Sequence, residues 1–369
     1  MQNNTSSKIY RVITVVGARP QFVKAAALSP RLRATGLINE SIIHTGQHFD
    51  TSMSDIFFEE MNIPRPTLNL GIGGGTHGQN TGRMIEGIEK VLLDSRPDAV
   101  LVYGDTDSTL ATAIAASKLG LRLVHVEAGL RSFRRAMPEE INRVLTDHVS
   151  DILYAPSQRS VELLYKEGIN LKKIVNAGDV MFDVAKRFSL ISKERSLILE
   201  RLNLSIKKYQ LLTLHRKENV DDPLILQRVL NTIGDGFFPT VFLVHPRTAK
   251  ILSEFNISIP KNIQITSPVG YLDMLRLVEN CSLVLTDSGG LQKEAYFLGR
   301  PCITLRDETE WTELVDAGAN VLTGTDPSRI ASALDGMKSK EDVPTGIYGD
   351  GDAAMKIALD LLARLKTGD

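Results

Sequence analysis

The sequence predicts an α/β protein built as two Rossmann-like halves, and three observations predict it. Short apolar runs alternate with longer helical patterns along the chain. The alternation occurs as two separate series, one in each half. The length, 369 residues, suits about two domains rather than one core. Strand–helix alternation implies parallel sheets covered on both faces.

In the first series, 10–16 reads as a buried strand and 21–34 as a helix. Strand-like 98–103 leads into an Ala-rich helix over 108–119. Strand-like 121–126 is followed by a helix at 138–149, opened by a proline in its first turn. A short strand at 152–155 and a helix at 158–167 close the series. In the second series, 210–214, 240–245, 262–265 and 282–286 read as strands with helices between them. A last helical stretch, 352–365, follows the loop 345–351. No Pro/Gly-rich linker marks the boundary. It is placed at 172/173, giving domains 1–172 and 173–345 and a C-terminal segment, 346–369, that returns to the first domain.

Composition excludes several classes. With 43 Lys+Arg against 44 Asp+Glu, the net charge is −1, which argues against nucleic-acid binding and a polybasic membrane patch. No apolar run approaches a membrane span, and Met1–Arg11 lacks the apolar stretch of a signal peptide. Two cysteines, Cys281 and Cys302, allow neither a disulfide scaffold nor a cysteine zinc site. A cytoplasmic location is the default expectation.

Ligands of facing Rossmann-like domains sit at the C-terminal ends of strands. The first such end, Gly17-Ala18-Arg19, enters a helix; Arg19 either holds a phosphate there or is an ordinary surface residue. The stretch Gly73–Gly78 formally matches G-x-G-x-x-G. It follows no clear buried strand and leads into no βαβ unit, so a flexible loop is expected. Asp105 stands just before Asp107 and Ser108, either of which can cap the next helix. Glu127 ends an apolar strand, where a carboxylate needs a partner or a function. Alternation places His125 and Glu127 on one side of that strand, and Arg131 is the structural partner to weigh for Glu127. Glu139 and Glu140 open a helix, with Arg143 four residues after Glu139.

In the second half, His215-Arg216 and His245-Pro246-Arg247 end successive strands and suggest an anionic ligand. The histidines lack metal-ligand spacing, so no metal is expected. Leu285–Glu294 runs from a buried strand into a helix whose first turn holds Ser288, Gly289 and Gly290. That turn suits a diphosphate, and Asp287 and Glu294, two helical turns apart, are placed on one face toward a ribose.

Together GARPQFVK (17–24), HTGQHFD (44–50), GDTDSTLA (104–111), HVEAGLRS (125–132), MPEEINRVLTDH (137–148), LHRKEN (214–219), HPRT (245–248), LTDSGGLQKEA (285–295) and YGDGDA (348–353) resemble the non-hydrolysing UDP-N-acetylglucosamine 2-epimerase family. The resemblance spans essentially the whole chain. It implies the glycosyltransferase-B-type fold, a UDP-sugar substrate, no cofactor, and a homodimer serving surface polysaccharide synthesis. It further implies elimination of UDP across C1–C2 and its re-addition through a 2-acetamidoglucal. Asp105, Glu127 and Glu139 are then the acid/base candidates, and His215 assists UDP departure. Arg19, Lys24, Arg143, His245, Ser288, Gly289, Gly290 and Glu294 become the substrate-binding candidates. Hydrolysing relatives usually carry Arg where Thr106 stands. Two departures, GARPQF for the usual GTRPE and ETEWTE (308–313) for a TERPE-like stretch, resemble the subgroup acting on UDP-2,3-diacetamido-2,3-dideoxy-glucuronate. For the uronate carboxylate, Arg131, Arg134 and Arg135 are the available cations. The competing readings are a retaining glycosyltransferase, a non-catalytic UDP-sugar sensor and, weakest, a nicotinamide dehydrogenase.

Overall fold

The computed structural model describes residues 8–47, 65–337 and 343–368. It divides into two compact units, Met1–Val184 with Tyr348–Asp369, and Ala185–Ile347.

The elements of the first unit are β1 (Tyr10–Val16), α1 (Arg19–Ala34), β2 (Ile38–His44), β3 (Leu68–Asn69), α2 (His77–Ser95), β4 (Ala99–Tyr103), α3 (Asp107–Lys118), β5 (Leu123–Val126), α4 (Pro138–Val149), β6 (Ile152–Ala155), α5 (Gln158–Lys166) and β7 (Ile174–Asn176). Helix α6 (Val180–Arg195) carries the chain onward. The second unit holds α7 (Ile198–Arg201), β8 (Gln210–Leu214), α8 (Lys217–Val220), α9 (Pro223–Gly234), β9 (Thr240–Val244), α10 (Pro246–Glu254), β10 (Ile263–Thr266), α11 (Tyr271–Asn280), β11 (Leu283–Thr286), α12 (Gly289–Phe297), β12 (Cys302–Thr304), α13 (Thr312–Asp316), β13 (Asn320–Leu322) and α14 (Pro327–Met337). The final helix, α15 (Ala353–Thr367), belongs to the first unit.

Among the described residues the first sheet runs β3-β2-β1-β4-β5-β6-β7 and the second β10-β9-β8-β11-β12-β13. Every pairing is parallel. The α/β class with two parallel sheets is therefore as predicted. In each sheet the strand order reverses once, between β1 and β4 and between β8 and β11. Ligands of such folds gather at that switch point.

Burial explains the strand sequences. All five residues of β4 and of β9 are buried, because helices cover both faces. Helix α2 supplies Met84, Ile88 and Leu92 to the first core at helical spacing. Strand β7 pairs with β6, so the chain just beyond the expected boundary at 172/173 still belongs to the first sheet. Helix α15 is held to the first unit by Asp183, which accepts hydrogen bonds from Ala353 N at 3.0 Å and Ala354 N at 2.9 Å. The Tyr154 hydroxyl donates to Asp360 at 2.8 Å in the same unit.

One expectation is overturned here. Gly73–Gly78 is not wholly a loop. Thr76 caps α2, accepting from Gln79 N, and His77 and Gly78 are the helix's first residues. The glycines had masked the capping box that follows them. Several elements had no forecast at all, among them β2, α2, β12 and β13.

Candidate active site

At the first switch point Gly17 directly follows β1. A Cβ there would meet Ser108 Oγ at 2.0 Å and Thr45 Oγ1 at 2.3 Å, so only glycine fits. The next turn is not an open anion site. Gln21 Oε1 accepts from Gly17 N at 2.7 Å and from Ala18 N at 3.0 Å, while its amide donates to Tyr103 O and Thr109 Oγ1. Arg19, the first residue of α1, is exposed.

One turn further along α1, buried Lys24 reaches the end of β5. Its Nζ lies 2.5 Å from Glu127 Oε1, both side chains about nine-tenths buried. Glu127 is not on the strand. It follows β5 with φ +72°, and its own N–H and that of Ala128 both donate to Tyr154 O. A left-handed carboxylate residue is a strained arrangement characteristic of functional sites. The strand alternation used to align His125 with Glu127 therefore stops short of it. Gly104 makes room for the ion pair: a Cβ there would lie 3.1 Å from Lys24 Nζ.

His125 serves differently. Its Nδ1 lies 2.7 Å from Asp147 and its Nε2 2.8 Å from Gly104 O. Asp147, wholly buried, also takes Arg131 at 2.7 Å, and Arg131 grips Glu167 through Nε and Nη2. Arg131 is thus not the partner of Glu127. Burial alone would raise the Asp147 carboxyl, but His125 and Arg131 hold it below the usual range.

Asp105 lies just past Gly104. Its Oδ2 accepts from Arg143 Nε at 2.9 Å and lies 2.6 Å from Nη2. Arg143 also donates to Glu140 at 3.1 Å, so its helix partner is Glu140 and not Glu139. Glu140 accepts from Ser132 and Phe133 as well. These bonds overcome burial and lower its pKa. The Glu139 side chain is exposed and makes no hydrogen bond or ion pair among the described residues. Thr106, rather than Asp107 or Ser108, caps α3. Asp107 instead binds His77 Nδ1 at 2.7 Å, a residue the sequence reading passed over. Of HTGQHFD, His44–Gln47 are described and 48–50 lie outside the described residues.

The second unit contains a cavity of about 350 Å³ at its own switch point, lined by Thr213, His215, His245, Ser288, Gly290 and Glu294 among others. Asp287 is buried and accepts from His215 N, Arg216 N and Asn219 Nδ2, with His215 Nδ1 at 2.9 Å. Burial opposes its ionisation, yet these donors keep its pKa low. It therefore orients the imidazole, and only Glu294 of the expected acidic pair lines the cavity. His245 caps α10 and its ring lies 5.8 Å from that of His215. Ser288 caps α12, and the amides of Gly289 and Gly290 that follow lack intrahelical acceptors, as at any helix start. Gly289 O receives the Trp311 indole N–H at 2.9 Å, so the departing ETEWTE segment braces this turn from behind. Among the described residues no group of three or more His, Cys, Asp or Glu could hold a metal ion. No described helix is long and apolar enough to cross a membrane.

Comparison with known proteins agrees with this arrangement. A family model described as UDP-N-acetylglucosamine 2-epimerase matches residues 30–362. The chain is 48% identical to a UDP-2,3-diacetamido-2,3-dideoxy-D-glucuronate 2-epimerase of Pseudomonas aeruginosa, over 96% of this chain and 100% of that one. It is equally 48% identical to a UDP-N-acetylglucosamine 2-epimerase homolog of Methanococcus maripaludis, over 94% and 98%. The crystal structure of Methanocaldococcus jannaschii UDP-GlcNAc 2-epimerase, in complex with UDP-GlcNAc and UDP, superposes with a TM-score of 0.83 at 43% identity, covering 96% of this chain and 99% of that one. With carboxylates at one switch point and a phosphate-type helix start at the other, the chain belongs to the UDP-N-acetylglucosamine 2-epimerase family.

Proposed function

We propose that the enzyme inverts C2 of UDP-2,3-diacetamido-2,3-dideoxy-glucuronate without hydrolysing it. The carrying observation is the division of chemistry between the switch points: ion-paired carboxylates at one, and His215 with the Ser288–Gly290 turn at the other.

C2 of an N-acetylhexosamine has no adjacent carbonyl to acidify its proton. Elimination avoids that barrier. A carboxylate takes the C2 proton while the C1–O bond to UDP breaks and C1=C2 forms. UDP oxygen then re-adds to C1, and a proton reaches the other face of C2. Asp105, Glu127 and Glu139 are the acid/base groups of this reading, oriented by Arg143 and Lys24 where those reach them. Lys24 and Arg143 thus act through carboxylates. His215, aligned by Asp287, assists the departing diphosphate, which the Ser288–Gly290 amides and Arg19 stabilise; His245 and Glu294 hold the remainder of UDP. The route needs neither metal nor redox cofactor. Thr106 supports the non-hydrolysing branch, since it caps α3 where hydrolysing relatives usually carry Arg.

Gln21 and Trp311, together with the Pseudomonas relative, favour the uronate. The Methanocaldococcus complex favours UDP-GlcNAc as a second substrate reading. Proton NMR in deuterated water, with each sugar separately and no added metal or NAD, tests both. A manno-configured UDP-sugar carrying deuterium at C2 is expected, faster from the uronate. Free sugar with UDP would move the enzyme to the hydrolysing branch. Binding of UDP with no C2 exchange in either sugar would remove the epimerase reading in favour of a glycosyltransferase or sensor. The reading includes a cytoplasmic homodimer. The dimer is supported by Ile141, Leu145 and Val149, which form an outward apolar stripe on α4 and are 46%, 46% and 37% exposed.

A further inference from the structure

A uronate brings a second anion to the first unit, and most cations there are already committed. Lys24 is held by Glu127, and Arg143 bridges Asp105 and Glu140. Arg131, its side chain 1% exposed, is clamped by Asp147 and Glu167. Turning it outward would strand two carboxylates, one of them fully buried. Arg134 and Arg135 lie on the exposed loop before α4.

His77 is placed differently. It opens α2 directly after the Gly73–Gly75 loop and the Thr76 cap. Its Nδ1 is fixed on Asp107 at 2.7 Å, while its side chain is 72% exposed. Its Nε2 has no partner among the described residues. Asp107 is itself buried and pinned by Asn142 Nδ2 at 3.3 Å; the same amide donates to Asp105 O at 2.9 Å. Three hydrogen bonds in series, through Asp107 and Asn142, thus tie the His77 ring to the backbone of Asp105, one of the proposed acid/base carboxylates. The hydrogen bond and charge of Asp107, with Glu139 adding to them, raise the pKa of the ring. When the ring is protonated, Nε2–H is a charge-assisted donor whose orientation the Nδ1–Asp107 hydrogen bond sets.

We propose that His77, through Nε2–H, is the specificity residue that receives the sugar carboxylate of the uronate substrate. This inference rests on the uronate reading above. It accounts for an exposed histidine anchored from behind by a buried acid. A charge-assisted hydrogen bond to the carboxylate gives discrimination of about 10- to 100-fold.

The test compares UDP-2,3-diacetamido-glucuronate with the C6 alcohol analogue, UDP-2,3-diacetamido-glucose, which differs only in the anionic group. The readout is the ratio of kcat/KM values for the two sugars. His77→Gln is expected to lower that ratio about 10- to 100-fold, and His77→Lys to recover part of it by restoring a cation. Arg135→Ala is expected to leave the ratio unchanged. An unchanged ratio in His77→Gln, with both sugars slowed alike, would overturn the assignment, as would transfer of the loss to Arg135→Ala. If the wild-type enzyme epimerises the alcohol analogue or UDP-GlcNAc but never the uronate, the substrate reading fails first and takes the assignment with it. Circular dichroism of each variant confirms folding, which an exposed position favours.

Discussion

Asp287 has its carboxylate filled by two backbone amides, the Asn219 amide and the His215 ring. Changing it to Asn turns an N–H₂ toward donors. Asp287→Asn is expected to cost about 1–3 kcal/mol of stability by leaving buried groups unmatched. It should also lower kcat by about 10²-fold as the imidazole loses its alignment. Urea unfolding and steady-state kinetics check the two effects separately. The wholly buried Asp147, between His125 and Arg131, is a structural counterpart. Asp147→Asn should destabilise by about 3–5 kcal/mol, because it takes one of its two counter-charges from the buried Arg131 and disrupts the hydrogen bond to His125. Since the folded pKa of Asp147 is depressed, its contribution is present above the unfolded carboxylate range and lost as pH falls through the folded value. These roles were half legible in sequence. An acid inside an apolar strand ending announces that it needs a partner. Which partner it takes depends on residues far along the chain, such as Asp147 for Arg131 and Lys24 for Glu127.

Two helices carry consequences of their own. Helix α4 turns Glu140, Asn142, Arg143 and Asp147 inward and leaves Ile141, Leu145 and Val149 outward. If a second copy covers that stripe, Leu145→Lys gives a monomer in analytical ultracentrifugation while circular dichroism stays unchanged. Helix α15 depends on Asp183. Burial outweighs its hydrogen bonds from Ala353 and Ala354, raising its pKa from an ordinary 3.8 to about 6. A raised acid pKa means the folded state binds the proton more tightly. The stabilisation is complete below pH 4 and is lost as pH rises to about 6, a difference of about 3 kcal/mol. Asp183→Asn should abolish that slope; unfolding free energies of both proteins between pH 4 and 7 measure it. The helices themselves followed from periodicity where polar faces were clear. Helix α2 was missed because its strong capping box sits behind four glycines and its preceding strand, β3, is only two residues long.

For the molecule as a whole, two sheets repeat one strand order, and each gathers its polar strand ends at its reversal. On the proposed assignment the second unit supplies every UDP contact except Arg19, so bound UDP stabilises that unit most. At 100 times its Kd the gain is about 2.7 kcal/mol, seen as slower hydrogen exchange along β11 and the start of α12. Equal protection throughout β1 and β4 would contradict this division.

Reading residues in order was enough to reveal the α/β class, the two strand–helix series and the polar strand ends that form the candidate site. These are local properties of apolar runs and the polar groups that end them. The motif resemblance added the family. Folding alone could show that Gln21 fills the first turn, that Arg131 is locked away from Glu127, and that Glu127 leaves its strand in a left-handed turn. It also brought His77 to Asp107 and Trp311 to Gly289. The last two pairings join residues 30 and 22 positions apart, and a buried charge or donor takes whichever partner the packed sheet brings within hydrogen-bond reach.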